Sequence, residues 1–270
     1  MSRFRITVAY DGTDFVGWQR QAAGVSIQGL LEDALAELDE AAVTVIGAGR
    51  TDAGVHALGQ VAAFTLTRTI AADVVVRALN VRLPLSVRVL AAEEVPPDFH
   101  PQFAATSKTY RYRIWNSDVV SPFERLYAWH LFGALDAAAM NEAARMLEGT
   151  HDFAAFQAAG SDVATTEREI FSSRVIAGLN PATAVGTESG AGLQPCDPLI
   201  VYEVAGSGFL RHMVRIVVGS LVDVGRGRQP VEWIGAAIAS RDRTVAGPTA
   251  PPHGLFLVGV DYAVALADGS

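Results

Sequence analysis

The chain has 270 residues, of which 50% are hydrophobic and 19% charged, so it can bury a substantial core and is not disordered as a whole. Its single cysteine, Cys196, excludes an internal disulfide and a cysteine-based zinc site. No apolar run approaches the roughly 18 residues of a membrane span, and the apolar stretch near the N-terminus is too short for a signal peptide. These features predict a soluble cytoplasmic protein with no membrane partner.

The formal net charge of -8 argues against a generic nucleic-acid binder, because such proteins are usually basic. The two signs are nevertheless partly separated along the chain. Acidic residues concentrate in Glu32–Glu40 and Glu93–Asp98, and basic residues in Lys108–Arg113 and Arg211–Arg228. The distribution therefore permits a positively charged face on an acidic protein.

The first part of the chain alternates between strand and helix patterns. Phe4–Tyr10 alternates as a strand does, and Ser26 stands where an N-cap would, before apolar residues at helical spacing from Ile27 to Leu38. Further strands are predicted at Val43–Ala48, Gln60–Leu66 and Val87–Glu94, and a short helix at Val74–Asn80.

Prolines at 96, 97 and 101 mark a linker, after which the alternation resumes. Asp136 is a predicted cap for a helix that stops at Gly149, and segment 178–197 is predicted to be a flexible surface excursion because it is rich in Gly, Ala, Ser and Thr. The other predicted elements are strands at Thr109–Trp115, Glu169–Ala177, Leu199–Ala205 and Leu255–Tyr262, and helices at about Phe209–Asp223 and Val231–Ala239. We expect two α+β halves, residues 1–104 and 105–270, without sequence repetition.

The segment Gly47–Ala57 places small residues around one arginine, one aspartate and one histidine. It lacks the Gly-Lys-Ser/Thr of a phosphate-binding P-loop. The predicted strand from Gln60 follows too soon for a dinucleotide fingerprint, whose glycines open a long helix. A nucleotide-dependent oxidoreductase is therefore the weakest hypothesis.

Arg50 and Asp52 are two residues apart, so in an extended stretch they would project to the same side. An ionised aspartate in a small pocket can act as nucleophile or base. The alternative is that Asp52 makes an Asx-turn and Arg50 is an exposed loop charge. His56 is expected to be a packed or capping histidine, because no second histidine stands at metal spacing.

Two other features suit an RNA-facing surface. Tyr110 and Tyr112 are interleaved with basic residues on one predicted strand, an arrangement that can stack an unstacked base; equally, the tyrosines could fill a sheet core. In the predicted helix from Phe209, Arg211 and Arg215 would share a face. A buried Arg215 would need an anionic partner, for which Asp52 or a phosphate would serve.

Several stretches together form a recognisable pattern. The most specific is the octapeptide Gly49-Arg50-Thr51-Asp52-Ala53-Gly54-Val55-His56. The others are Tyr10–Gln21, Asp98–His100, Tyr110–Tyr112, Phe209–Leu221, Thr249–Pro251 and Gly254–Leu255. In their order, and over nearly the whole chain, these stretches resemble the TruA family of tRNA pseudouridine synthases.

The resemblance implies the pseudouridine synthase fold, with two similar α/β halves and mainly antiparallel sheets joined around a central cleft. It implies isomerisation of uridine to pseudouridine at positions 38, 39 and 40 of the tRNA anticodon stem-loop, by a homodimer without cofactor or metal. Asp52 matches the catalytic aspartate, Tyr110 the tyrosine that packs against uracil, Arg50 the arginine linked to base flipping, and Arg215 a basic residue near the aspartate. The alternative is a tRNA-binding module in which Asp52 is only structural.

Overall fold

The computed structural model describes residues 1–160, 163–179 and 198–263, which fall into two compact units. The first comprises Met1–Lys108 and the chain from Phe256 onward, and the second Thr109–Leu255. The boundary expected after residue 104 differs from this division in two respects. The chain leaves the first unit after Lys108, within a strand, and the last strand of the chain returns to the first unit. That return follows from parallel pairing, in which Phe256 and Leu257 lie beside His56 and Ala57.

The first unit is a sheet with two helices. Its elements are β1 (Ser2–Tyr10), α1 (Ile27–Asp39), β2 (Ile46–Gly47), β3 (His56–Leu66), α2 (Ala72–Arg82), β4 (Val87–Glu94) and β10 (Leu255–Tyr262). The strand order is β4-β1-β3-β10, with β2 beside β3. Pairing is antiparallel except between β10 and β3. Phe4, Ile6 and Val8 are fully buried and alternate with partly exposed residues, so one face of β1 forms core.

The second unit has the same kind of architecture. Its elements are β5 (Ala105–Asn116), β6 (Trp129–Leu131), α3 (Ala137–Arg145), β7 (Gly149–Asp152), β8 (Glu167–Leu179), β9 (Leu199–Gly206), α4 (Met213–Gly225) and α5 (Trp233–Ser240). The strand order is β5-β9-β8-β7, with β6 parallel to β5. β8 is antiparallel to both of its neighbours. The expected mixed α/β fold with mainly antiparallel pairing is confirmed.

Both predicted helix caps are confirmed. The Ser26 side chain accepts the N–H of Gly29 at the start of α1, and the Asp136 carboxylate accepts the N–H of Ala139 at the start of α3. Each satisfies a main-chain donor that the first helical turn leaves without a partner. Local sequence therefore determines where these two helices begin.

Other boundaries differ from expectation. The strand expected over Val43–Ala48 contains only Ile46–Gly47, and the short strands β6 and β7 were not predicted. Of the excursion expected over 178–197, residues 180–197 lie outside the described residues, whereas residues 178 and 179 end β8. No helix within the described ranges is long and apolar enough to cross a membrane.

The predicted helix from Phe209 begins four residues later, at Met213. His212 precedes it with φ 59° and ψ 5°, a left-handed conformation that interrupts helical hydrogen bonding. Arg211 therefore lies outside α4, and the prediction that it shares a helix face with Arg215 is wrong. Its guanidinium instead donates to the carbonyls of Ala159 and Gly160, at 2.9 and 3.2 Å.

The buried carboxylate at the end of α1 provides a stability prediction. Asp39 is 5% exposed and accepts the N–H groups of Thr67 and Arg68, at 3.0 and 3.1 Å, and the Thr67 hydroxyl. Burial raises the pKa of this carboxyl, but the hydrogen bonds outweigh that effect and leave the pKa below its ordinary value. The ionised carboxylate therefore stabilises the fold.

We expect Asp39→Ala to lower the free energy of unfolding by about 2 kcal/mol at pH 7, because it leaves these donors without their charged acceptor. Since the folded pKa is depressed, the stabilisation is present above about pH 4 and is lost as the pH falls through the folded pKa. Urea unfolding at several pH values would measure both effects. Asp73→Ala, at a 65% exposed carboxylate on α2, is the control; an equal loss in both variants would contradict the prediction.

Candidate active site

The loop that carries Asp52 connects β2 to β3 and is tied to segment 11–18 by main-chain hydrogen bonds. The Thr51 carbonyl accepts the N–H of Trp18 at 3.0 Å, and the N–H of Gly54 donates to the Phe15 carbonyl at 3.3 Å. Within the loop, the N–H of Val55 donates to the Asp52 carbonyl at 3.1 Å. Asp52 therefore begins a main-chain turn that is fixed on both sides.

Two glycines allow this close approach of main chains. A Cβ on Gly12 would lie 2.0 Å from the Val55 carbonyl oxygen, and a Cβ on Gly17 would lie 2.6 Å from that of Thr51. Gly17 also has φ +106°, which side-chain-bearing residues rarely adopt. Both positions require glycine because the loop packs directly against their α-carbons.

Arg50 and Asp52 differ in their surroundings. Asp52 is half-buried and has an interaction partner, whereas Arg50 is exposed and makes no hydrogen bond or ion pair with any described residue. Arg50 therefore forms no ion pair with Asp52, although their spacing would place the two side chains on the same side of an extended stretch.

His56 follows the loop and is 1% exposed. Its Nδ1 accepts the N–H of Gly12 at 3.0 Å and lies 3.1 Å from a carboxylate oxygen of Asp11, while its ring stacks on that of Phe256 at 4.6 Å. This is the packed histidine that the spacing predicts. The contacts of His56 connect the turn after β1 to the start of β3.

In the second unit, Tyr110 lies on β5 and is 9% exposed. Its ring meets that of Phe209 edge-on, with centroids 5.0 Å apart and planes at 78°. Tyr112, on the same face of β5, is fully buried and donates its hydroxyl to the Pro251 carbonyl at 2.8 Å. Tyr112 is thus a core residue, and Tyr110 lies at the edge of that core.

Arg215 lies in the first turn of α4 and is held by the loop that precedes β10. Its Nε donates to the Ala250 carbonyl at 2.8 Å, and the N–H of Ala250 donates to the Arg215 carbonyl at 3.0 Å. Burial and then the nearby charge of Arg215 lower the pKa of His253 in the same loop, so that histidine is neutral at pH 7. The loop before β10 therefore holds both the main chain of Arg215 and the Nε of its guanidinium.

The basic strand expected to face RNA is largely ion-paired. Arg111 donates to Glu203 at 2.7 Å, and Arg113 to Glu124 at 2.6 Å. Glu203 also accepts Arg174, and both of these ion pairs lie within the second unit. These arginines form ion pairs with glutamates of the same unit, so Arg111 and Arg113 do not form an unpaired cationic stripe.

The structure places Arg50 and Asp52 together in the first unit and Tyr110 and Arg215 in the second. Sequence reasoning missed Tyr10, Trp18 and Gln60, which pack beneath the Asp52 loop. A buried glutamine inside an apolar strand is an unusual signal that could have pointed to Gln60. Among the described residues, no three His, Cys, Asp or Glu side chains are grouped to hold a metal ion.

A family model described as tRNA pseudouridine synthase matches residues 6–104 and 143–263, which is most of the chain. The chain belongs to the tRNA pseudouridine synthase family. The resemblance found in the octapeptide around Asp52 is thereby confirmed. The matched ranges of this family contain Arg50, Asp52 and Arg215, whereas Tyr110 lies between them.

Several relatives of this chain carry the name tRNA pseudouridine synthase A. The protein of Syntrophotalea carbinolica is 43% identical over 97% of this chain and 97% of its own. Those of Myxococcus xanthus and Moorella thermoacetica are 45% and 44% identical over 97% of this chain, and over 92% and 100% of their own. The likeness to pseudouridine synthases therefore extends over both units.

Proposed function

We propose that this chain isomerises uridine to pseudouridine at positions 38, 39 and 40 of the tRNA anticodon stem-loop, with Asp52 as nucleophile or base. Membership of the tRNA pseudouridine synthase family makes it an RNA-modifying isomerase. The observation that carries the assignment of Asp52 is its half-buried place on a loop held by main-chain hydrogen bonds on both sides. A fixed carboxylate loses little entropy when it meets a reacting atom.

The reaction requires the target base to leave the helical stack, which costs a few kcal/mol. In the proposal, Tyr110 packs against the extruded uracil, and Arg50 occupies the space that the base vacates or binds the adjoining backbone. The exposure of Arg50 and its lack of a partner among the described residues support this role. The main-chain fixation of Arg215 supports its role as a positioned cation for an anionic group.

The bond changes follow from a comparison of uridine, the substrate, with pseudouridine, the product. The C1'–N1 bond breaks, the base rotates, C5 bonds to C1', the C5 proton leaves and N1 takes up a proton. Asp52 could add to C6 or to C1', or remove the 2' proton to form a glycal. All three routes use an ionised carboxylate at residue 52 and are redox-neutral.

Tritium release from tRNA that carries 5-tritiated uridine tests the reaction, because loss of the C5 proton accompanies each turnover. We expect many turnovers per chain, and site-resolved sequencing of the product should place pseudouridine at positions 38, 39 and 40. Binding of tRNA without release would favour the non-catalytic binding module instead.

The resemblance also leads us to propose that the enzyme is a homodimer that acts in the cytoplasm, where its tRNA substrate is found. Light scattering on the full chain tests the assembly, with twice the 28.6 kDa of one chain as the expected mass. A mass of one chain at assay concentration would contradict the dimer and leave the isomerase assignment unaffected.

We expect tRNA binding to weaken steeply with salt despite the net charge of -8, because neutralised phosphates release counterions. Arg50→Gln should reduce the slope of log Kd against log salt by about one, since it removes one phosphate-reaching cation. Fluorescence titration of labelled tRNA measures the slope.

Arg77→Gln is the matched control for the salt experiment, because Arg77 is 68% exposed but paired with Asp73 on α2. Its slope should equal that of the unchanged protein. A salt dependence that is flat for the unchanged protein would contradict the predicted separation of charge.

A further inference from the structure

Three buried polar side chains lie directly beneath the loop that carries Asp52. Tyr10 ends β1, Gln60 lies within β3, and Thr51 precedes Asp52; they are 4%, 0% and 7% exposed. The hydroxyls of Tyr10 and Thr51 are 2.8 Å apart, and the Gln60 side chain also hydrogen bonds to Tyr10. All belong to the first unit, so the group is part of one compact body.

The same group holds the main chain on the other side of Arg50. Gln60 Nε2 donates to the Gly49 carbonyl at 2.9 Å, and its Oε1 accepts the N–H of Val61 at 3.1 Å. Gly49 and Thr51 flank Arg50, and Thr51 is bonded to Asp52. The two side chains from β1 and β3 therefore fix the residues on either side of Arg50 and immediately before Asp52.

A purely apolar core at this position would avoid the cost of burying these polar side chains. Gln60 stands in a buried run of β3 whose neighbours Val61, Ala62 and Ala63 are apolar, and burying an amide has a cost that its hydrogen bonds only offset. Burial also raises the pKa of Tyr10 to about 12, because the charged phenolate is disfavoured in the core. The Tyr10 hydroxyl and the Gln60 Nε2 are both directed at the loop.

We infer that Tyr10 and Gln60 are positioning residues, which hold Asp52 and Arg50 in reactive geometry through Thr51 and the Gly49 carbonyl. This inference rests on the proposed roles of Asp52 and Arg50. A displacement of about 1 Å at a reacting group can reduce the rate about 100-fold, so small shifts of this loop matter. Substrate affinity depends on contacts over the whole tRNA and changes little.

Tyr10→Phe tests the inference, because it removes one oxygen and leaves the ring. We expect kcat for tritium release to fall at least about tenfold while KM stays within about twofold, since the lost interaction acts on the chemical step. Tyr202→Phe is the matched control: Tyr202 is 1% exposed, and its hydroxyl lies 3.0 Å from that of buried Ser173 in the second unit. Its kcat should equal that of the unchanged enzyme.

A second pair of variants keeps the test decisive if Tyr10→Phe does not fold. Thr51→Val removes the other hydroxyl and should lower kcat by a similar factor, whereas Thr51→Ser retains the hydroxyl and should preserve kcat. The double variant Tyr10→Phe/Thr51→Val should lose no more than Tyr10→Phe alone, because both changes remove the contact between the two hydroxyls.

The outcomes separate this inference from the proposed function. An unchanged kcat in Tyr10→Phe and Thr51→Val, or an equal fall in Tyr202→Phe, would overturn the positioning role. Failure of the unchanged enzyme to release tritium would overturn the proposed function itself. Thermal unfolding of each variant shows whether a fall in kcat follows lost stability, which would also overturn the inference.

Discussion

Asp52→Asn is expected to abolish tritium release from tRNA and to leave tRNA binding within a few-fold of the unchanged enzyme. Asparagine has nearly the same shape as aspartate, so the half-buried loop keeps its fold, but an amide cannot supply a nucleophilic or basic oxygen at neutral pH. Loss of such a group reduces turnover by about 10³-fold or more. Single-turnover assays with excess enzyme would measure the residual rate.

Asp73→Asn is the matched control for this change. Asp73 is a 65% exposed carboxylate on α2 in the same unit, paired with Arg77 at the surface. Turnover should be unchanged there. Retained tritium release in Asp52→Asn would remove residue 52 from the chemistry, and loss of binding in that variant would show that the side chain holds the RNA.

Gly17→Ala should damage both the stability and the activity of the protein. The added Cβ would lie 2.6 Å from the Thr51 carbonyl oxygen and 3.1 Å from the main chain at Asp52 and Ala53, and the residue would have to keep φ +106°. Left-handed backbone strain and steric crowding together cost about 2–4 kcal/mol. Relief of the clash moves the Asp52 loop, so the folded fraction should also lose turnover.

Gly133→Ala is the control that measures the cost of backbone strain at a positive φ without steric crowding of the added Cβ. Gly133 has φ +75° and no atom within 4 Å of the position of its Cβ, so we expect a loss of about 1 kcal/mol and unchanged turnover. Urea unfolding and single-turnover assays on both variants make the comparison. Equal losses in the two would show that close packing against Thr51 is unimportant.

The two helix caps show how much local sequence predicts. Ser26 and Asp136 each accept an N–H three residues ahead, so the cap and its partner lie within one turn of chain. The bounds of β4 and β10 were also predicted from local sequence, and the structure has both strands at those residues. The α4 boundary failed because apolar spacing continues through Phe209 while the backbone of His212 leaves the helical region.

The features of the candidate site likewise divide into those that local sequence predicts and those that only the tertiary structure shows. The octapeptide around Asp52 carries the family resemblance within eight consecutive residues, and the resemblance gave Arg50, Tyr110 and Arg215 their expected roles. Nothing local shows that Arg111 is paired with Glu203, which is 92 residues away, or that Arg50 is exposed and has no partner in the described part of the chain. Pairing of charges depends on which strands lie side by side.

The sequence by itself determined the class of protein, the helix starts that have side-chain caps, and the loop on which the chemistry was sought, because each depends on residues close together in the chain. The tertiary structure decided how that loop is held. Thr51 meets Tyr10, 41 residues earlier, and Gly49 meets Gln60 on β3. Such contacts form only when the sheet brings distant segments together, and no periodicity along the chain records them.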